Sequence, residues 1–169
     1  MIVPTQNVWV GNQGTGSISE LSHAGSPVAN VAGGGFGIAI DSSGFVWSVS
    51  QTSNNLVRVS NTGTNPATFT GGGLNQPVAL SIDGSGNIWI ANANGSVSEF
   101  SNAGAPLTPS GGITGSGLSG PNGVAIDPSG NVWVVNSTSN SLTEFLGAGD
   151  PVTTPLSVAT QNATQATKP

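Results

Sequence analysis

Apolar residues recur along this chain in short bursts of four to six positions, separated by breaks rich in Gly, Ser and Asn. The clearest bursts are Asn-Val-Trp-Val-Gly-Asn at 7–12, Phe-Val-Trp-Ser-Val-Ser at 45–50, Asn-Ile-Trp-Ile-Ala-Asn at 87–92 and Asn-Val-Trp-Val-Val-Asn at 131–136. In stretches such as Val132-Trp133-Val134-Val135 neighbouring positions are all apolar, so a strand there needs cover on both faces. No window shows the 3.6-residue period of a helix, and β-branched residues dominate the runs. The pattern predicts an all-β chain of short strands.

The bursts are copies of one unit. Trp9, Trp47, Trp89 and Trp133 are spaced by 38, 42 and 44 residues. Six residues before the last three stand Asp41, Asp83 and Asp127, each opening an Asp-x-Ser-Gly string. Such a string is hairpin chemistry: the carboxylate accepts from backbone amides in the turn, and the glycine takes the left-handed conformation. A third strand follows at 17–21, 56–60, 96–100 and 141–145, and a weaker fourth at 28–31, 67–70, 105–108 and 152–156. A glycine-rich crossover then leads to the next unit. Four antiparallel strands per roughly 40–45 residues with a periodic aromatic predict β-propeller blades. A β-sandwich would instead show polar outward alternation on its second strands.

The string Pro121-Asn122-Gly123-Val124-Ala125-Ile126-Asp127, continued by Gly130-Asn131-Val132-Trp133-Val134, closely resembles the NHL repeat. The likeness runs over roughly residues 7–157 and extends to bacterial propellers of the streptogramin (virginiamycin B) lyase and gluconolactonase-like kinds. It implies a ring of six or seven blades, on the order of 250–300 residues at about 42 per blade. The chain is expected to hold a partial blade over 1–31, blades over about 36–70, 77–108 and 121–157, and a disordered tail over 158–169. That is about four blades, read as the C-terminal part of a larger propeller, with a closed four-blade ring as the alternative. Open blade faces predict self-association.

Charge is scarce: two Lys or Arg and seven Asp or Glu among 169 residues. Arg58 and Lys168 alone cannot track a phosphate backbone, which excludes nucleic acid as a partner. No apolar run approaches a membrane span, and without cysteine there is neither a disulfide framework nor a thiolate site. The surface, rich in Ser, Thr, Asn and Gly, suits a secreted or envelope protein, although residues 1–4 do not begin a secretory signal.

Candidate chemistry is limited by the repeat itself. Asp41, Asp83 and Asp127 are equivalent, as are Glu20, Glu99 and Glu144, with Arg58 at the same position. A catalytic group is unique, whereas a structural group recurs with the fold, so the acids read as turn and strand residues. A ring of carboxylates could still take a divalent cation; the expectation is no cofactor. The lone His23 lies in a variable turn and has no second acid–base partner of the kind a lyase needs. Gly115-Ser116-Gly117-Leu118-Ser119-Gly120 fits a dinucleotide fingerprint but is followed by Pro121 and a strand, so it reads as a crossover loop. Asn12, Ser50, Asn92 and Asn136, three residues after each tryptophan, cap their strands and form a candidate rim for a glycan or other polar ligand. The tryptophans read as packing between blades rather than as sugar platforms. The functional expectation is a non-enzymatic binding scaffold for a protein or polar ligand. The alternative is a lyase- or lactonase-type fragment with its catalytic residues largely elsewhere.

Overall fold

The computed structural model describes residues 7–151, and every element in that range is a β-strand. Fourteen strands form four antiparallel sheets. The first is β1 (Val8–Asn12), β2 (Ser17–Leu21) and β3 (Pro27–Ala32). The second is β4 (Ile38–Ile40), β5 (Val46–Ser50), β6 (Asn55–Val59) and β7 (Ala67–Phe69). The third is β8 (Pro77–Ile82), β9 (Ile88–Asn92), β10 (Ser96–Phe100) and β11 (Ile113–Thr114). The fourth is β12 (Pro121–Ile126), β13 (Val132–Asn136) and β14 (Ser141–Phe145). Each sheet is a meander in chain order, the arrangement of a propeller blade. The expected strand at 152–156 and the tail at 158–169 lie outside the described residues.

Register follows the repeat. Each tryptophan sits directly opposite the charged residue of its neighbouring strand: Trp9 and Glu20, Trp47 and Arg58, Trp89 and Glu99, Trp133 and Glu144. Pairing slips by one residue between Pro77 and Ala79, and again between Pro121 and Gly123. Proline has no N–H to give the ladder, and a bulge there starts the innermost strand.

One strand departs from the expected pattern. A fourth strand at 105–108 is reduced to a single bridge between Phe100 and Pro106, and the sheet edge is completed by β11 at 113–114. Pro106 and Pro109 cannot donate in a ladder, so the chain loops out and returns seven residues later.

The core lies between the sheets. Ile18, Val31 and Trp9 of the first blade meet Val46, Val57 and Val59 of the second. Trp47, Val49 and Leu56 meet Leu80, Ile88, Ile90 and Phe100 of the third. Trp89 and Val97 meet Val132 and Val134 of the fourth. Because β5 and β9 contribute to the clusters on both sides, all five residues of each are buried. The outward faces of the end blades have no such neighbour among the described residues: Val8 is 54% exposed, Val135 53% and Leu142 58%. No apolar cluster joins the first blade to the fourth, so the described residues form an open arc rather than a closed four-blade ring.

Close approach of blades also explains a repeated glycine. Gly104 has φ +85°, and a Cβ there would lie 2.1 Å from the Phe69 ring of the preceding blade. Its counterpart Gly63, φ +70°, would place a Cβ 2.5 Å from Ala29. Only glycine combines the left-handed backbone with that contact.

Candidate functional site

Along the strands, the two ends of the blades differ chemically, and the difference starts in the hairpins. At one end lie the Asp-x-Ser-Gly turns between the first and second strands of the second, third and fourth blades. Gly44, Gly86 and Gly130 have φ near +85°, at 85°, 84° and 85°. One carboxylate oxygen of Asp41 accepts the amides of Ser43 and Phe45, at 2.9 and 3.0 Å. The other accepts the indole Nε1–H of Trp47 at 2.8 Å. Asp83 and Asp127 repeat the arrangement with Trp89 and Trp133 at 3.2 and 3.1 Å. The indole contact was not read from the sequence, although the constant six-residue spacing carries it. Each aspartate thus fixes a turn and aims a tryptophan, so the carboxylates occupy separate blades. Among the described residues no group of three His, Cys, Asp or Glu is placed to hold a metal ion.

The electrostatics follow from these bonds. The Asp127 carboxyl is held down to about 2, first by the Asn131 backbone N–H and next by the Trp133 indole. Its interactions therefore stabilise the fold above the ordinary carboxylate range and are lost as pH falls toward 2. Glu99 moves the other way, above its ordinary 4.5, through burial and then the negative charges of Asp83 and Asp150. A raised carboxyl pKa lowers stability as pH rises from the ordinary value through the raised one. Replacing Glu99 with Gln is expected to raise the thermal midpoint at pH 7 and to leave it unchanged near pH 3. Equal midpoints of the two proteins at pH 7 would contradict that account.

At the opposite end lie the candidate rim residues. Asn92 is fully buried; its Oδ1 accepts the Asn75 amide at 3.2 Å and its Nδ2 donates to Ser98 at 2.9 Å. Asn136 does the same for Ser119 and Thr143, at 3.1 and 2.9 Å. These amides tie each glycine-rich crossover to the strands beneath it. Asn12 donates to Ser19 at 2.8 Å, and Ser50 accepts the Ser53 amide at 3.2 Å. Between the first two blades this end opens into a 350 Å³ cleft lined by Gln13, Thr15, Gly34, Ser50, Thr52 and Ser53 among others. None of its lining residues titrates. His23 is exposed in the turn after β2, and the 115–120 glycine run is a crossover loop between β11 and β12.

No curated protein matches the sequence. Residues 118–145, which span the end of the crossover and β12 to β14, match the NHL repeat. The fourth blade carries an NHL repeat. Among solved structures, a streptogramin B lyase aligns over 92% of this chain and 54% of its own, with TM-score 0.64 and 16% identity. A catalytically inactive virginiamycin B lyase from Staphylococcus aureus, solved with quinupristin, aligns over 86% and 54% with TM-score 0.65 and 16% identity. Hydrazine synthase from Kuenenia stuttgartiensis aligns over 87% and 45% with TM-score 0.71 and 15% identity. The chain spans about half the length of each. At such identity the likeness is one of fold: the four sheets are blades of the β-propeller kind.

Proposed function

We propose that the chain is a non-enzymatic β-propeller scaffold that binds a polar ligand, a glycan or a polar protein surface, without a cofactor. One observation carries this reading: the cleft between the first two blades presents hydroxyl, amide and backbone groups and no titratable side chain. Such a lining can fix the orientation of hydroxyl-bearing ligands, whereas acid–base catalysis requires a proton donor or acceptor within reach. The repeating aspartates, engaged in turns, support the same conclusion. The low charge and polar surface suit a place of action in the envelope or outside the cell, which fractionation of the producing cells would check.

The test is a titration with neutral oligosaccharides followed by amide shifts. Residues 13–16, 33–36 and 50–53 should shift together, Ser50→Ala and Thr52→Val should weaken binding severalfold, and a chelator should change nothing. The fold shared with the lyases gives the second reading, a lyase- or lactonase-type activity. Incubation with quinupristin or a simple lactone, with and without divalent metal, should leave both intact; robust ring opening would replace the scaffold reading. Light scattering on the same sample should show masses above one chain, because Val8, Val10, Val135 and Leu142 are exposed on the end blades. A monomer at all concentrations would remove self-association from the proposal.

A further inference from the structure

A second cleft between the first two blades lies at the opposite, aspartate-turn end, and it is distinct from the polar cleft discussed above. It encloses 460 Å³ and is lined by Asn7, Trp9, Glu20, Ile40, Asn61 and Thr62 among others. Glu20 is 1% exposed. One of its carboxylate oxygens accepts the Asn7 side-chain amide, and the other, Oε2, is buried with no hydrogen-bond partner among the described residues. A buried carboxylate oxygen without a donor is unfavourable, and a bound donor would relieve it.

The next cleft in the arc shows what fits. It is built from the same repeat positions, with Trp47 for Trp9, Asn102 for Asn61 and Arg58 for Glu20. There the Arg58 guanidinium carbon lies 4.7 Å from the Phe45 ring centre and 5.4 Å from that of Trp47. Its Nη1 donates to the Asn102 carbonyl at 3.2 Å. The protein's own cation thus occupies the second cleft, over an aromatic wall. In the first cleft the tryptophan of that wall is retained, Asn7 and Val31 stand where Phe45 and Phe69 do, the cation is replaced by an anion, and the space is open.

We propose that the Trp9–Glu20 cleft binds a guanidinium group, supplied by a free guanidino compound or by an arginine side chain. The planar cation would pair with Glu20 Oε2 and stack on the Trp9 indole, combining a charge-assisted hydrogen bond with a cation–π contact. A hard metal ion is a poorer match, because the cleft holds one carboxylate and a metal needs several convergent oxygens.

Indole N–H spectra of the full chain test the proposal, since the four tryptophans report separately. Agmatine and an acetyl-Gly-Arg-Gly amide peptide should each shift the Trp9 resonance saturably while leaving Trp47 unmoved. Tighter binding of the peptide would identify a polypeptide arginine as the source, and tighter binding of agmatine a free compound. The citrulline peptide, a neutral isostere, should bind at least tenfold more weakly. Glu20→Gln should lose at least tenfold in agmatine affinity. Glu20→Arg should abolish agmatine binding while keeping the thermal midpoint at or above that of the parent, because it removes the buried carboxylate oxygen without a donor and sets a cation over Trp9, as Arg58 lies over Trp47. Equal binding of citrulline and arginine peptides, or no Trp9 shift at millimolar agmatine, would overturn the proposal without reliance on either variant.

Discussion

Replacing Trp47 with alanine is expected to lower stability by about 3–5 kcal/mol, as for a large aromatic removed from a closed core. Trp47 is fully buried, packs in the cluster between the second and third blades, and lies 5.7 Å from the Phe69 ring. The substitution also leaves Asp41 Oδ2 without its indole donor and strips the aromatic surface from beneath Arg58. Trp133 holds the same repeat position and the same aspartate bond, but its blade face has no neighbour among the described residues, and it is only partly buried. Trp133→Ala is therefore expected to have less than half the effect. Urea unfolding of the two variants measures the difference. Equal losses would mean that the tryptophans stabilise their own blades, and the account of inter-blade packing would fail.

Asp83→Ala should come close to that loss, at about 3 kcal/mol or more, because it removes a buried acceptor shared by five donors at once. Asp83 is 6% exposed. Its Oδ1 accepts the amides of Ser85 and Asn87 at 3.0 and 2.8 Å. Its Oδ2 accepts from the Asn87 side chain and the Trp89 indole, both at 3.2 Å, and from the Asp150 amide at 3.1 Å. The last bond ties the third blade to the segment after β14, reinforced by Gly84 donating to the Asp150 carbonyl at 3.0 Å. Asp41 has no equivalent of that tie and is less buried, so Asp41→Ala should cost clearly less. Asp83→Asn should recover only part of the loss, since one amide nitrogen would face donors. Thermal unfolding ranks the three variants, and amide exchange at Gly84 should accelerate in both Asp83 variants. Asp41→Ala matching Asp83→Ala would show that the turn, and not the inter-blade tie, sets the effect.

These contrasts mark where reading the chain alone stops. The tryptophan spacing, the Asp-x-Ser-Gly turns and the doubly apolar runs were enough to place the strands, because hairpin chemistry and strand burial are local consequences of residue type. The strand expected at 105–108 lies instead at 113–114, because two prolines move the pairing partner along the chain, a choice made by ladder donors and not by hydrophobicity. The rim residues were visible as a series, but their burial was not: Asn92 and Asn136 face crossover loops that approach only once blades stack.

The clearest case is the position opposite the tryptophan. Glu20, Arg58, Glu99 and Glu144 look interchangeable along the chain, a single slot with a charge in it. Whether that charge is buried without a partner among the described residues, stacked on an aromatic wall, or has its pKa raised by burial and then by neighbouring acids depends on what the next blade brings against it. Repetition is local and periodic, so residue order alone specifies the blade. Each inter-blade cleft is a contact between segments about 40 residues apart, and its chemistry exists only after packing has brought them together.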